Sequence, residues 1–106
     1  MTRGEIYFNY EKAMSQVRAL QEIASSIKKI SDSNMTDCMN NVKKNWEGDN
    51  ATSYVGKGNK LKEKIKKSGE NVDRVASTLA EMARNIRDAE LRNLEIIEQK
   101  NSSSGG

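Results

Sequence analysis

One thiol, one indole and a row of lysines are the groups in this chain that could do chemistry. Cys38 is the single cysteine among 106 residues, and there is no histidine. A lone thiol cannot close an internal disulfide. Without imidazole, a histidine base, a catalytic triad and the usual zinc ligand sets are out of reach. The glycines of the GKG stretch, Gly56 and Gly58, do not belong to a G-x-x-x-x-G-K-S/T phosphate loop, and no strand pattern precedes them. These absences argue against an enzyme, and no metal, cofactor or small-molecule substrate is expected. Cys38 reads as a small apolar residue on a buried helix stripe. Alternatively, it faces its mate across a symmetric dimer and oxidises outside the cell.

Lys57, Lys60, Lys64 and Lys67 step by three and four, the spacing of one ridge on a helix. They belong to a basic middle: residues 28 to 67 hold ten lysines and five acids, a balance of +5, whereas residues 70 to 100 hold five basic and seven acidic groups, a balance of −2. Such a ridge could bind nucleic acid or an acidic partner, and that is the runner-up function. Arginine is scarce in this region, aromatic residues are few and no DNA-binding turn is present. Solvated lysines on a helix face are the expected reading.

The elements that position these groups are helical. The chain has no proline, the residue that most reliably interrupts a helix. In the first half Tyr10, Ala13, Val17, Leu20, Ala24, Ile27, Ser31, Met35, Cys38 and Val42 recur at steps of mostly three or four, one stripe of an amphipathic helix. The segment SDSNMTD, residues 31–37, is rich in residues that favour caps and turns. It is either a polar patch in one continuous helix or a break with Asp32 or Ser33 as a new N-cap. Because Met35, Cys38 and Val42 keep phase, continuity is favoured. In the second half a heptad runs through Ala51, Tyr54, Gly58, Leu61, Ile65, Ser68, Val72, Val75, Leu79, Met82, Ile86 and Ala89, a coiled-coil-like seam. The expected core or dimer seam therefore includes Val17, Leu20, Ile27, Leu61, Ile65, Val72, Leu79 and Ile86.

Between the halves stands NWEGDN, with the only tryptophan, Trp46. Gly48 suits the left-handed C′ position that ends a helix, and Asp49 or Asn50 can cap the next one. A connection this short forces the helices antiparallel. The expected fold is all-α: an antiparallel two-helix hairpin with helix 1 about 5–45, a turn at 46–50, and helix 2 about 51–98. Residues 1–100 form a single domain, followed by a flexible tail at 101–106. Apolar positions left over, among them Ile23, Ile30, Leu91 and Ile97, suggest a second surface, so two hairpins would pair into an elongated four-helix bundle.

A Pro-free helical hairpin of about this length, with Trp46-Glu47-Gly48 at its turn, resembles the WXG family of small early-secreted-antigen-like proteins of type VII (ESX) secretion. The resemblance covers residues 5 to 98. It implies export from a bacterial cytoplasm by an ATPase-driven machine, as a folded homodimer or heterodimer. It also implies that Trp46 and Gly48 form part of a composite export signal, set in the dimer beside a C-terminal Y-x-x-x-D/E motif from the partner chain. This chain has no tyrosine after Tyr54, so that tail motif is absent. Tyr7 and Glu11 match the spacing at the wrong end. The nearest tail analogue is Ile86, Glu90 and Leu94 at helical steps of four. A chain supplying only the tryptophan half resembles the small helical proteins that pair with the N-terminal helical region of LXG-type toxins. The expected partners are a second copy, another small helical protein or such a toxin, and the type VII ATPase.

The N-terminus, MTRGEIYFNYEKAM, has acidic residues where a secretory leader needs an apolar run, and no stretch approaches the ~20 apolar residues of a membrane span. The chain is therefore expected to stay in the cytosol or to leave the cell without a cleaved signal.

Overall fold

A computed structural model describes residues 1–104; Gly105 and Gly106, the end of the expected tail, lie outside the described residues. The chain is nearly all helical, with no strand among the described residues. Helix α1 spans Arg3–Lys29, a π-helical turn spans Ile30–Met35, α2 spans Thr36–Asn45 and α3 spans Asp49–Ser104. These give two helical stretches, an arrangement consistent with a helical hairpin.

Helix α1 begins at Arg3 because Thr2 and Glu5 form a capping box. The Glu5 N–H donates to Thr2 Oγ1 at 3.2 Å, and the Thr2 hydroxyl donates to Glu5 Oε1 at 3.0 Å. At the other end α3 runs past 98 to Ser104. No proline or glycine stands between Gly69 and Gly105 to stop it.

The SDSN segment does not break the first stretch. Lys29, Met35 and Thr36 all keep right-handed helical angles, with φ between −68° and −63°. The segment widens instead, and that changes which residues face inward. A π turn inserts one extra residue into the helical repeat, so the inward positions run Ser31, Met35, Met39 and Val42. Met39 is buried and Cys38 is exposed. The expectation that Cys38 lies buried on the stripe is thereby corrected: it counted regular turns through 30–35, and the inserted residue moved the seam on by one. Ser31 is fully buried at the start of this turn, where its hydroxyl donates to the Lys62 carbonyl at 3.0 Å.

Contacts divide the chain into two compact units, residues 20–75 and residues 1–19 with the C-terminal part from Ala76. In the first, the central unit, Lys28 Nζ lies 3.6 Å from Asp73 Oδ2, and Ser31 meets Lys62. Gly58 stands against Met39; a Cβ on it would lie 2.8 Å from the Met39 sulfur. A Cβ on the buried Gly69 would meet Ile27 Cγ2 at 3.2 Å and the Ala24 carbonyl oxygen at 3.3 Å. The two helical segments thus run in opposite directions and approach almost backbone to backbone. In the second, the terminal unit, Arg3 pairs with Glu98 at 3.6 Å, and the Arg87 guanidinium lies 4.4 Å from the centre of the Tyr10 ring. Ile6, Val17, Ala76 and Ala80 are buried there.

On α3 the inward face is made of small residues: Ala51, Gly69, Ala76 and Ala80 are buried. Part of the expected seam holds, since Val17 is buried and Leu20, Ile27, Ile65 and Val72 are half-buried. Leu61, Leu79 and Ile86 are exposed, at 51%, 40% and 57%. Tyr54, Val75 and Met82 are exposed with them. The expected heptad took Tyr54, Leu61, Ser68, Val75 and Met82 as one of its two rows. The contact instead uses the neighbouring row, one residue later, where Lys62, Gly69 and Ala76 replace Leu61, Ser68 and Val75. Close approach requires small side chains.

Three substitutions test this register. Met39→Ala, which empties a buried site, is expected to cost about 2–3 kcal/mol in urea unfolding, and Cys38→Ala less than about 0.5 kcal/mol. Equal losses would show that the π turn does not set the register. Gly69→Leu should cost about 1–3 kcal/mol through overpacking against the Ala24 carbonyl; an unchanged midpoint would mean the segments do not approach so closely.

Candidate functional site

The break between α2 and α3 is built by three residues of the central unit. Trp46 caps α2 in extended geometry (φ −122°, ψ 143°), with its N–H on the Val42 carbonyl at 2.9 Å. Gly48 has φ +94° and is, among the described residues, the one glycine with positive φ, a conformation that side-chain-bearing residues rarely adopt. Its carbonyl accepts the Thr52 N–H at 3.1 Å and the Thr52 hydroxyl at 3.3 Å, opening α3. Gly48 therefore stands in the left-handed region as expected, but directly before α3 rather than directly after the cap of α2. Asp49 and Asn50, expected as caps, lie inside the first turn of α3, where the carboxylate of Asp49 favours the positive end of the helix dipole.

The indole is not tucked away. Trp46 is 61% exposed, and its ring lies 6.4 Å from that of Tyr54, tilted by 47°. Trp46, Gly48, Ala51, Thr52 and Val55 line a groove of about 350 Å³. A second groove of about 400 Å³ is lined by Met35, Cys38, Tyr54, Lys57 and Leu61. The Cys38 sulfur lies 3.7 Å from the Tyr54 hydroxyl. That hydrogen bond, reinforced by repulsion between the two groups when charged, holds the Tyr54 phenol above its ordinary range. Tyr54 therefore lines the second groove and meets the ring of Trp46, which lines the first. Sequence reading placed it in the seam and missed this role, although residues at about equal distances either side of the break between antiparallel segments, such as 38 and 54, are expected to meet.

The exposed apolar side of the central unit follows from helix geometry. Ile23 and Ile30 each precede a buried residue of the first stretch, Ala24 and Ser31. Leu61 and Val75 each precede an inward residue of α3, Lys62 and Ala76. In two segments running oppositely, positions one step before the contact lie on the same side of the pair. Ile23, Ile30, Cys38, Tyr54, Leu61 and Val75 therefore share one face. Lys57, Lys60, Lys64 and Lys67 are all exposed, a further step round α3, so they edge this face as a ridge.

In the terminal unit Ile86 is exposed while Glu90 and Leu94 are half-buried. Ile86 and Glu90 share a groove of about 160 Å³ with Ile6 and Tyr10. Glu90 and Leu94 line another with Met1 and Ile97. Tyr7 and Phe8 are exposed, at 46% and 68%.

No family model, curated protein or solved structure matches this chain. Among the described residues no group of three His, Cys, Asp or Glu side chains could hold a metal ion, and no helix is long and apolar enough to cross a membrane.

The two residues of the break should separate in a stability measurement. Gly48→Ala is expected to cost about 1 kcal/mol or more, because alanine is strained at positive φ, while Trp46→Ala costs less than about 1 kcal/mol. A large loss from Trp46→Ala in thermal unfolding would mean that the indole staples the break rather than standing free.

Proposed function

We propose that this chain is a non-enzymatic substrate or targeting partner of type VII secretion, working by helix–helix assembly, with Trp46-x-Gly48 as part of its export signal. The carrying observation is the chain's only tryptophan, largely exposed beside a positive-φ glycine at the break between two helical stretches. An exposed indole over an apolar groove offers a receptor a large contact at little conformational cost. In this reading the two stretches form a hairpin turning at W-x-G, and the apolar face of Ile23, Ile30, Tyr54 and Leu61 is covered when a four-helix bundle forms. The covering chain is a second copy, another small helical protein or the helical N-terminal region of an LXG-type toxin. Export follows the ATPase-driven type VII route from a bacterial cytoplasm, without a cleaved signal. With no tyrosine after Tyr54, the second half of the signal comes from Ile86, Glu90 and Leu94 or from the partner.

Export can be followed by comparing culture supernatant with cell pellet in a strain carrying a type VII apparatus. Trp46→Ala is expected to keep its helical circular dichroism and its partner while at least about tenfold less protein, or less of its cargo, reaches the medium. Normal export of the folded variant would remove the tryptophan from the signal. Equal export from a strain lacking the secretion ATPase would overturn the route itself.

A further inference from the structure

Lys57, Lys60, Lys64 and Lys67, all within the central unit, have no part in the export reading. All four are exposed, and among the described residues none of them forms an ion pair. Glu63 and Glu70, within four residues of the ridge, do not pair with it. The row runs about 15 Å along α3, at 1.5 Å per residue. Like charges at steps of three and four destabilise a helix, and no acid of the chain relieves these. A ridge of this kind suits an extended anion from outside.

What stands at the head of the ridge narrows the anion. Tyr54 is three residues before Lys57 and so its neighbour on the helix surface. Its ring, 47% exposed, lies 6.4 Å from that of Trp46, 61% exposed. Aromatic residues are few in this chain, but the break sets two of them side by side next to four lysines. In the groove at the indole Lys43 is offset by Glu47, so the excess positive charge lies along the ridge. Lysines are point charges without the planar fork that grips one carboxylate or phosphate, and a straight row of them matches a repeated charge rather than a shape. Aromatic planes beside such a row take the faces of unpaired bases. A duplex hides those faces in its own stack, and an acidic polypeptide lacks them. The ridge edges the apolar face rather than lying in it, so its use does not depend on what covers that face.

We propose that the central unit binds single-stranded nucleic acid without sequence preference, a base stacking on Trp46 beside Tyr54 and the phosphates running along Lys57, Lys60, Lys64 and Lys67. This activity is separate from the export reading and stands or falls without it. The full chain is titrated with a labelled oligothymidylate of about 15 nucleotides. Anisotropy of the strand and quenching of the only tryptophan give the binding, and circular dichroism the fold. Log affinity is expected to fall against log salt with a slope of about −3, four phosphates at about 0.7 each. The K57Q/K60Q/K64Q/K67Q variant, whose glutamines keep helix propensity, should lose the anisotropy change, and Lys64→Gln alone should lower the slope by about 0.7. Trp46→Ala should bind at least about fivefold more weakly with the slope unchanged. No anisotropy change at low salt, or undiminished binding by the helical quadruple variant, would overturn the ridge as the site. Tighter binding of a duplex of the same length would overturn the stacking. Inorganic polyphosphate or polyglutamate that competes as well as unlabelled oligothymidylate, with Trp46→Ala binding like the unaltered chain, would overturn nucleic acid as the ligand.

Discussion

The close approach of the two helical stretches is the constraint on which the rest depends. At Gly69 the helices come near enough that a single added carbon would lie 3.3 Å from the Ala24 carbonyl. Only small side chains fit the tightest points of such a contact, so alanine and glycine occupy the most buried positions of α3. The larger apolar residues of α3 are thereby displaced to its flank. Among the described residues seven apolar ones are buried, four of them alanines, while fourteen large ones are exposed. That ratio is unfavourable for a chain acting alone, because alanine contributes little apolar area. It suits a chain whose larger side chains are covered by something else.

The π turn follows from the same constraint. Ser31, Met35 and Met39 all face the contact at steps of four, which a regular helix cannot sustain without drifting round its axis. One inserted residue removes the drift. Ser31 contributes further, since a buried hydroxyl needs a partner and finds it in the Lys62 carbonyl. The consequence reaches the surface, for the shift that buries Met39 turns Cys38 outward against Tyr54.

At the break, backbone geometry decides what is displayed. The extended conformation of Trp46 carries its side chain off the helix, and the positive φ of Gly48 lets α3 begin at once. An aromatic residue at a helix end often covers the end. Here the ring meets Tyr54 at a tilt and remains mostly in solvent.

Much was legible in the sequence. Absence of proline, apolar steps of three and four, and NWEGDN between two periodic halves gave an all-helical chain broken at Trp46–Gly48. The stripe of the first stretch, from Tyr10 to Met35, was also readable, because its inward residues are themselves apolar or small. Two things were decided only by tertiary structure. Which of two adjacent rows on α3 faces inward depends on how close the helices come, and periodicity does not encode that distance; Leu61 and Lys62 are both plausible until the Ala24–Gly69 contact is known. The inward turn of Met39 over Cys38 depends on one inserted residue in a segment whose composition signalled only irregularity. Local pattern determines where helices run. The distance between them determines which face is left exposed.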